Sequence, residues 1–411
     1  MKDVLSQQVF IGSLLCTLMF SQNVIANEKR TFSSSVGTQV TYDDNLYRIN
    51  KDSDLIQLLL GDFDYSDTIT STFANVDIDW DISQQNILAN ALVNKNKFSK
   101  NSQFDNTSTL YELRWNWFAS SMFTGTVSYN SRTQLANFTD NLNAALLASK
   151  VETDVSAISV NWKLLRYWEL QLGMSENTTK YSVEALSFNN KRIVRPTAML
   201  TYKSESQNSL ALSLYQGNIE YENREFVTGS TIDNEYQLST IILTTEYHLS
   251  DKSHLSARLI WRELDPENLE TGRDFDLSSW GFNIRYRWLV SAATQLTFSL
   301  ADEITPSENV NTDFQRSQLA RLNATWLASD KIYITLTSEY IKRQYEYNAN
   351  TNHNSNFASD NTYKKAGLSL LYFPTDLFEL KIGYEFNNQR SNLLSRNYDY
   401  NTTFASIVVN F

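Results

Sequence analysis

The feature that most constrains this chain is a strict alternation of apolar and polar residues, which recurs in segment after segment. Between residues 74 and 82 one face carries Ala74, Val76, Ile78, Trp80 and Ile82, and the other carries Asn75, Asp77, Asp79 and Asp81. Successive side chains of a β-strand point to opposite faces, whereas a helix repeats every 3.6 residues. The same plan returns at 280–288 and 378–386. The pattern predicts an all-β chain whose sheet has one apolar and one polar face.

Connection lengths distinguish a soluble two-sheet sandwich from a membrane-spanning barrel, because both show this alternation. Short turns are predicted near 83–85, 119–121, 165–167, 205–207, 250–252, 290–292, 328–330 and 374–376. Long polar connections lie between them, at 44–68, 99–106, 134–152, 176–192, 218–233, 264–275, 302–315, 343–361 and 388–399. Bacterial membrane barrels alternate short periplasmic turns with long external loops. Residues 27–411 are therefore predicted to form one antiparallel transmembrane β-barrel of about 18 strands, each crossing with about 9–11 residues.

Residues 1–26 have the organisation of a signal peptide. Lys2 is followed by an apolar stretch at 9–20, and small residues end at Ala26, where cleavage is predicted. The apolar stretch is shorter than the roughly 20 residues that a spanning helix needs. Cys16, the one cysteine, would leave with this segment, which excludes disulfides and thiolate metal sites from the exported chain. We therefore expect an outer-membrane location in a Gram-negative-type bacterium, in contact with outer-membrane lipid.

The tryptophans support a membrane barrel, because amphipathic rings collect at membrane boundaries. Seven of the nine lie near predicted short turns: Trp80, Trp115, Trp117, Trp162, Trp168, Trp288 and Trp326. The other two, Trp261 and Trp280, flank one long loop and are predicted at the outer boundary. The chain ends on an alternating strand whose last residue is Phe411, and we interpret this aromatic end as the signal for the barrel-assembly machinery.

Charge and motifs argue against nucleic-acid binding and against catalysis. The formal net charge is −11, whereas nucleic-acid-binding domains carry a basic footprint. Neither a cofactor nor a metal motif is found, because His248 and His254 flank a short turn and no pair has ligand spacing along a strand. An outer-membrane hydrolase using His353 is a distant alternative. The run Asp43-Asp44-Asn45 either binds a cation or forms a polar exit from a strand.

Charged residues of the predicted inner face are unevenly distributed. The inward basic residues are Arg258, Arg262, Arg285, Arg287 and Arg321. The inward acids, predicted to come together around the seam, are Asp77, Asp79, Asp81, Glu339, Glu379 and Glu385. Two interpretations remain open: opposed walls that orient a solute in a transverse field, or side chains that only solvate the lumen. Tyr215 and Tyr333 either stack on sugar rings or fill space.

Two predicted loops contain apolar runs, at 55–60 and 144–148. These runs either fold into the mouth and constrict it, or pack as short helices on the outer rim.

Several short motifs resemble the outer-membrane proteins of exopolysaccharide operons, of the EpsL or VpsM type. They are Tyr42-Asp43-Asp44-Asn45-Leu46-Tyr47, Ser66-Asp67-Thr68-Ile69, Trp115-Asn116-Trp117, Trp261-Arg262-Glu263 and the final strand to Phe411. The resemblance covers most of residues 31–411 and implies export of a secreted exopolysaccharide, together with a periplasmic polysaccharide export protein. It assigns no site residue.

The predicted function is therefore a passive, non-enzymatic conduit for exopolysaccharide. A general or sugar-uptake porin would share every barrel feature. A surface protein that anchors exported polysaccharide is a further alternative, and would have a plugged barrel.

Overall fold

One closed antiparallel sheet of 18 strands dominates the described part of the chain. The computed structural model describes residues 31–50, 64–136, 138, 147–224, 233–268, 277–306, 314–346, 360–392 and 397–411. Each strand pairs with its neighbours in sequence, and β1 pairs with both β2 and β18, which closes the barrel. The predicted fold class and strand number are confirmed.

The strands alternate in direction around the ring. Their bounds are β1 Phe32–Asp43, β2 Asp67–Ile82, β3 Gln85–Phe98, β4 Asn106–Phe118, β5 Phe123–Leu135, β6 Lys150–Leu165, β7 Trp168–Tyr181, β8 Lys191–Lys203, β9 Ser209–Glu220, β10 Glu235–Ser250, β11 Ser253–Pro266, β12 Leu277–Ser291, β13 Thr294–Pro306, β14 Phe314–Ser329, β15 Ile332–Glu346, β16 Asp360–Thr375, β17 Phe378–Ser391 and β18 Tyr398–Asn410. Short turns therefore gather at one end of the barrel, together with the start of β1 and the end of β18. The long connections gather at the other end, which we call the loop end.

The outer face of the barrel is apolar and exposed. Trp80 pairs with Ile87 across β2 and β3, and cross-strand partners share a face. Exposed fractions of 50% for Trp80, 53% for Leu172 and 54% for Leu368 show that large apolar side chains around the ring point outward. A continuous apolar surface of this size belongs in lipid, and a closed barrel satisfies its backbone hydrogen bonds there. The chain is a membrane-spanning β-barrel.

All nine tryptophans lie on this outer face. Those near the short turns include Trp162, which stacks on Phe123 with ring centroids 5.8 Å apart, and Trp168, which lies 5.2 Å from Tyr202. Trp261 and Trp280 are direct cross-strand partners toward the loop end. The rings thus form two levels, as expected for aromatic side chains at the two boundaries of a bilayer.

The strands are longer than the sequence predicts. They run from 12 residues in β1 to 16 residues in β2, and exceed a membrane crossing of about 9–11 residues. The additional residues lie at the loop end: the outer face of β9 carries Leu210, Leu212 and Leu214, and then Gln216 and Asn218. Because the apolar belt ends there, we infer that the strands continue beyond the membrane. The loops are correspondingly shorter than predicted.

Two segments outside the strands are 3₁₀ turns, Ser102–Phe104 and Glu184–Asn189. Among the described residues no helix is long and apolar enough to cross a membrane. The predicted signal peptide, residues 1–26, lies outside the described residues. At the other terminus, the Phe411 amide donates to the Ser34 carbonyl at 2.8 Å and ties the chain end to β1. Recognition of Phe411 by the assembly machinery stays a prediction.

Candidate functional site: the barrel lumen and its mouth

Five arginines on the inner face form a basic wall. Arg258 and Arg262 lie on β11, Arg285 and Arg287 on β12, and Arg321 on β14. Their cross-strand partners on this face are polar: Arg258 pairs with Asn283, and Arg285 with Ser256 and Ser299. Arg262 donates to the Ile304 carbonyl, which fixes it against the wall. Two acids share this face, Glu246 bonded to Ser256 and Glu303 bonded to Asn283, so the wall presents an excess of positive charge to the lumen.

The acids predicted around the seam divide into two groups. On β15 and β17 they are neutralised locally: Glu339 pairs with Arg321, and Glu385 lies 2.9 Å from the Lys365 ammonium. Glu379 shares the inner face of β17 with Lys381. The second group is Asp77, Asp79 and Asp81 on β2, which accept hydrogen bonds from asparagine side chains of β3. We call these three carboxylates on one strand the negative wall.

The positive and negative walls face each other across the lumen. β2 and β11 lie half of the 18-strand ring apart, so that the aspartates of β2 lie across the lumen from Arg258, whereas Arg262 lies nearer the loop end. Opposed charges in a low-dielectric frame create a field across a water-filled path. That this field orients a solute stays a prediction.

Asparagines hold the negative wall, and we did not predict them as lumen residues. Asn90 Nδ2 donates to Asn75 Oδ1 at 2.8 Å and to Asp77 Oδ1 at 2.6 Å. Asn86 Nδ2 repeats this arrangement with Asp79 and Asp81, at 2.7 Å each. The signal in the sequence was the even spacing of asparagines along β3. Their contacts depend on the register between β2 and β3, which the sequence does not specify.

Two histidines that flank a short turn come together, and the sequence predicted no metal-ligand pair from them. The rings of His248 and His254 lie 4.7 Å apart, and His254 Nε2 is 3.1 Å from Glu246 Oε2. Among the described residues no group of three or more His, Cys, Asp or Glu side chains is arranged to hold a metal ion. His353 lies outside the described residues. Of the predicted lumen tyrosines, Tyr333 packs edge-on against Phe373 at 5.8 Å, and Tyr215 faces the lumen from β9.

A buried apolar cluster, here called the mouth cluster, lies at the loop end. It consists of Leu46, Tyr47, Phe98, Phe104, Ala136, Phe138 and Leu186. Phe104 lies at its centre, with ring centroids 5.9 Å from Tyr47, 5.8 Å from Phe98 and 5.1 Å from Phe138. Most members come from connections between strands and pack on the inner ends of the barrel wall. Residues 55–60 and 144–146, from the apolar runs predicted to constrict the mouth, lie outside the described residues.

Buried aspartates bind adjacent connections to each other at the loop end. Asp67, fully buried, accepts hydrogen bonds from the Lys100 and Asn101 amides at 3.1 and 3.0 Å and from Asn101 Nδ2 at 2.8 Å. Asp233 repeats this role in front of β10, where it binds Asn268 through the backbone at 2.6 Å and through the side chain at 3.2 Å. We call each arrangement an aspartate clasp. The motif at residues 66–69 is therefore explained by the aspartate clasp, which joins two connections at the loop end.

The first motif, residues 42–47, holds the seam between β1 and β18. Asp43 and Arg48 form a two-pronged ion pair at 2.9 and 2.7 Å, with exposed fractions of only 3% and 7%. The Arg48 guanidinium lies 3.4 Å from the centre of the Tyr400 ring. Burial lowers the pKa of Arg48, but the Asp43 carboxylate and Tyr400 raise it further, so the side chain stays charged. We call this group the seam latch.

Asp44 and Asn45 extend the seam latch to β18. Asp44 accepts hydrogen bonds at 2.8 Å from both the backbone and the side-chain nitrogen of Asn401. Asn45 Nδ2 donates to the Asp399 carbonyl at 3.0 Å. Because these oxygens bind protein donors, the strand-exit interpretation of Asp43-Asp44-Asn45 explains the run better than a cation site.

A second ion pair at the loop end is exposed to solvent. In it, the Lys100 ammonium lowers the pKa of Asp64 to about 2.

No protein-family model matches this sequence, and no curated protein matches it either. Similar solved structures are outer-membrane proteins. The outer-membrane protein OpdK of Pseudomonas aeruginosa is 10% identical and has a TM-score of 0.46, over 92% of this chain and 98% of its own. OccK2 (OpdF) of the same organism has 10% identity, a TM-score of 0.49 and the same coverage. The siderophore receptor PirA from Acinetobacter baumannii has 10% identity and a TM-score of 0.48, over 94% of this chain and 81% of its own. At these identities the likeness concerns the fold alone.

Proposed function

We propose that this chain is an outer-membrane channel through which polar solutes diffuse passively, with its short turns on the periplasmic side. The observation that carries this proposal is the closed barrel of 18 strands with an apolar outer belt and a charged inner face. A barrel of this size has room for an aqueous path. A charged inner wall in lipid would be costly unless water reached it.

The opposed walls set the channel's ion preference. The arginines of β11 and β12 raise the local concentration of anions along one side, and the aspartates of β2 raise that of cations along the other. Of the five arginines, Arg321 is paired with Glu339, which neutralises its charge locally. Arg285 and Arg287 lie on one strand, face the same lumen and are suited to a test of the basic wall.

We expect the double variant Arg285→Glu, Arg287→Glu to shift the channel several-fold toward cations. The substitutions reverse the charge of the basic wall, which then repels the anions that it attracted. The measurement is the reversal potential of the purified protein in planar bilayers under a salt gradient. High salt should reduce the difference, because it screens exposed charges.

The matched control is Arg166→Glu, Lys252→Glu, which makes the same charge change in two exposed short turns. It should shift the reversal potential much less than the lumen variant. An equal shift in both variants would mean that surface charge at the periplasmic mouth sets selectivity. Absence of any ion current from correctly folded protein would refute the channel.

A second candidate function is the export of a secreted exopolysaccharide, in partnership with a periplasmic polysaccharide export protein. The motifs at residues 42–47 and 66–69 support it through their resemblance to proteins of exopolysaccharide operons. Their side chains hold the seam and the loops, so the support is the resemblance alone and not a contact with the glycan. The lumen supplies hydroxyl and amide groups along which a hydrated glycan would slide.

Deletion of the gene in the source bacterium tests export directly. We expect loss of cell-free polysaccharide with periplasmic or intracellular accumulation, restored by the intact gene. Outer-membrane integrity is measured in parallel, because a leaky envelope would release polysaccharide by another route. Normal external polysaccharide in the deletion strain would leave the general polar-solute channel as the function.

A further inference from the structure

The inner face of β3 alternates amide and apolar side chains in a regular order. From the short-turn end it presents Asn86, Leu88, Asn90, Leu92 and Asn94, which we call the β3 track. Strand residues rise about 3.4 Å each, so the two bonded asparagines, four residues apart, recur after ~14 Å. With a strand tilt of about 40° the repeat is ~10 Å along the pore axis. The neighbouring strands repeat this order only in part: Leu92 pairs with Leu110 and Asn90 with Glu112, whereas Leu88 lies between Asp79 and Arg114.

The polar steps of the β3 track are held rigidly. Both Nδ2 hydrogens of Asn90 are used, by Asn75 and Asp77, and both of Asn86 by Asp79 and Asp81. The side-chain N–H donors of Asn86 and Asn90 are therefore already bonded to β2. The Asn86 oxygen already accepts from Asn116 Nδ2 at 3.1 Å and keeps its second lone pair, so the track presents a solute with oxygen acceptors in fixed positions.

Unsatisfied acceptors lie at the loop-side end of the same wall. The buried Oδ1 atom of Asn94 accepts no hydrogen bond among the described residues, and the same holds for the buried Oε1 atom of Gln39. Gln39 is 7% exposed and pairs with Ser71 of β2, next to β3. Buried acceptors without donors gain free energy when a ligand supplies a hydroxyl.

The ligand that suits this surface has many hydroxyl donors and also apolar faces. A metal cation does not fit this surface. Among the described residues no three His, Cys, Asp or Glu side chains are grouped to bind one, and leucine side chains are not metal ligands. Anions are disfavoured beside the carboxylates of β2. A pyranose ring has hydroxyls on its edge and C–H groups on its faces, which match acceptors alternating with leucines.

We propose that the β3 track is a binding surface for neutral linear saccharides. Ring hydroxyls donate to the oxygens of the asparagine and aspartate steps, and ring faces pack on Leu88 and Leu92. The ~10 Å repeat of the polar steps, on the order of two linked rings, lets one chain contact successive steps. Each contact is weak, so the chain moves from step to step without being trapped. This inference rests on the proposed channel for its route into the lumen.

The test measures how long single neutral saccharides block the ion current in planar bilayers. The probes are 1,4-linked glucose oligomers of increasing length, with polyethylene glycol of matched size as the comparison. We expect the blockade time to increase with oligomer length and to exceed that of polyethylene glycol. Equal blockade times for oligomer and polyethylene glycol would overturn the proposal, while the ion current itself would leave the channel intact.

Substitutions on the inner face test whether the saccharide binds at the β3 track. Asn86→Ala with Asn90→Ala removes two polar steps and should shorten the blockade about tenfold, as expected for two neutral hydrogen bonds. Leu88→Ser with Leu92→Ser tests the apolar steps without removing an amide. The matched control is Leu319→Ser with Asn323→Ala on the inner face of β14, which should leave the blockade time unchanged. An equal effect of the control would overturn the assignment to β3.

A binding measurement that does not depend on ion current separates the β3 track from the proposed channel. Saturation-transfer NMR on the folded protein in detergent micelles detects contact between the same oligomers and the barrel. Transfer that falls in the β3 variants supports the track even if the protein carries no current, in which case only the channel is refuted. Absence of transfer to the wild type overturns the track.

Discussion

Replacing Arg48 by alanine should lower the free energy of unfolding by about 3–5 kcal/mol, since it leaves a buried carboxylate without its partner. Asp43 keeps 3% of its surface exposed and would lose both prongs of its ion pair. The loss also removes the guanidinium from the Tyr400 ring, at the point where β1 meets β18. Denaturant titrations followed by tryptophan fluorescence measure the effect.

Three further variants separate the seam latch from a general charge effect. Arg48→Lys keeps the charge but loses the planar two-pronged geometry, and should fall between wild type and Arg48→Ala. The double variant Asp43→Ala, Arg48→Ala removes both charges and should recover part of the loss. Lys100→Ala breaks the exposed pair with Asp64 and should change stability little. Similar stability of Arg48→Ala and Lys100→Ala would show that the buried ion pair does not hold the seam.

Replacing Phe104 by alanine should both destabilise the barrel and widen its mouth. Phe104 is 2% exposed and contacts three aromatic rings, so its truncation should cost about 3–5 kcal/mol. The mouth cluster covers the inner ends of neighbouring strands, and its loosening should raise the single-channel conductance. Denaturant titration and bilayer recordings on the same preparation give the two quantities.

The matched control for this variant is Phe123→Ala. Phe123 is 40% exposed on the outer face and stacks on Trp162, so its removal should leave the conductance unchanged. A destabilised Phe104→Ala protein with wild-type conductance would assign the mouth cluster to stability alone.

The barrel was predictable because its pattern is local. Alternation in β2 and β12 and the succession of short and long connections specify strands, their number and their order without any knowledge of contacts. The same parity places Arg285 and Asp77 on one face. Strand ends were less predictable, because β9 continues as Gln216, Asn218 and Glu220 beyond its leucines, and polar strand and polar loop look alike in sequence.

The site was predictable only in part, because its contacts join distant residues. The local pairing of Glu339 with Arg321 depends on the register of β14 and β15, and the bonds of Asn90 depend on that of β2 and β3. The role of Asp67 depends on a connection 34 residues away. Motifs that draw attention in the sequence, such as residues 42–47, proved to hold the seam.

The seam latch also has a consequence for how the barrel is made. Every other pairing joins strands that follow each other in the chain, whereas Asp44 and Asn401 are 357 residues apart. Closing that distance carries the largest loop entropy of any contact in the sheet, so we expect hairpins to form first and β1 to meet β18 last. Until then both strands present unpaired edges, on which a neighbouring copy can add. A buried ion pair at this place stabilises the closed barrel, so we expect it to slow reopening and to keep few copies in the open state that can self-associate.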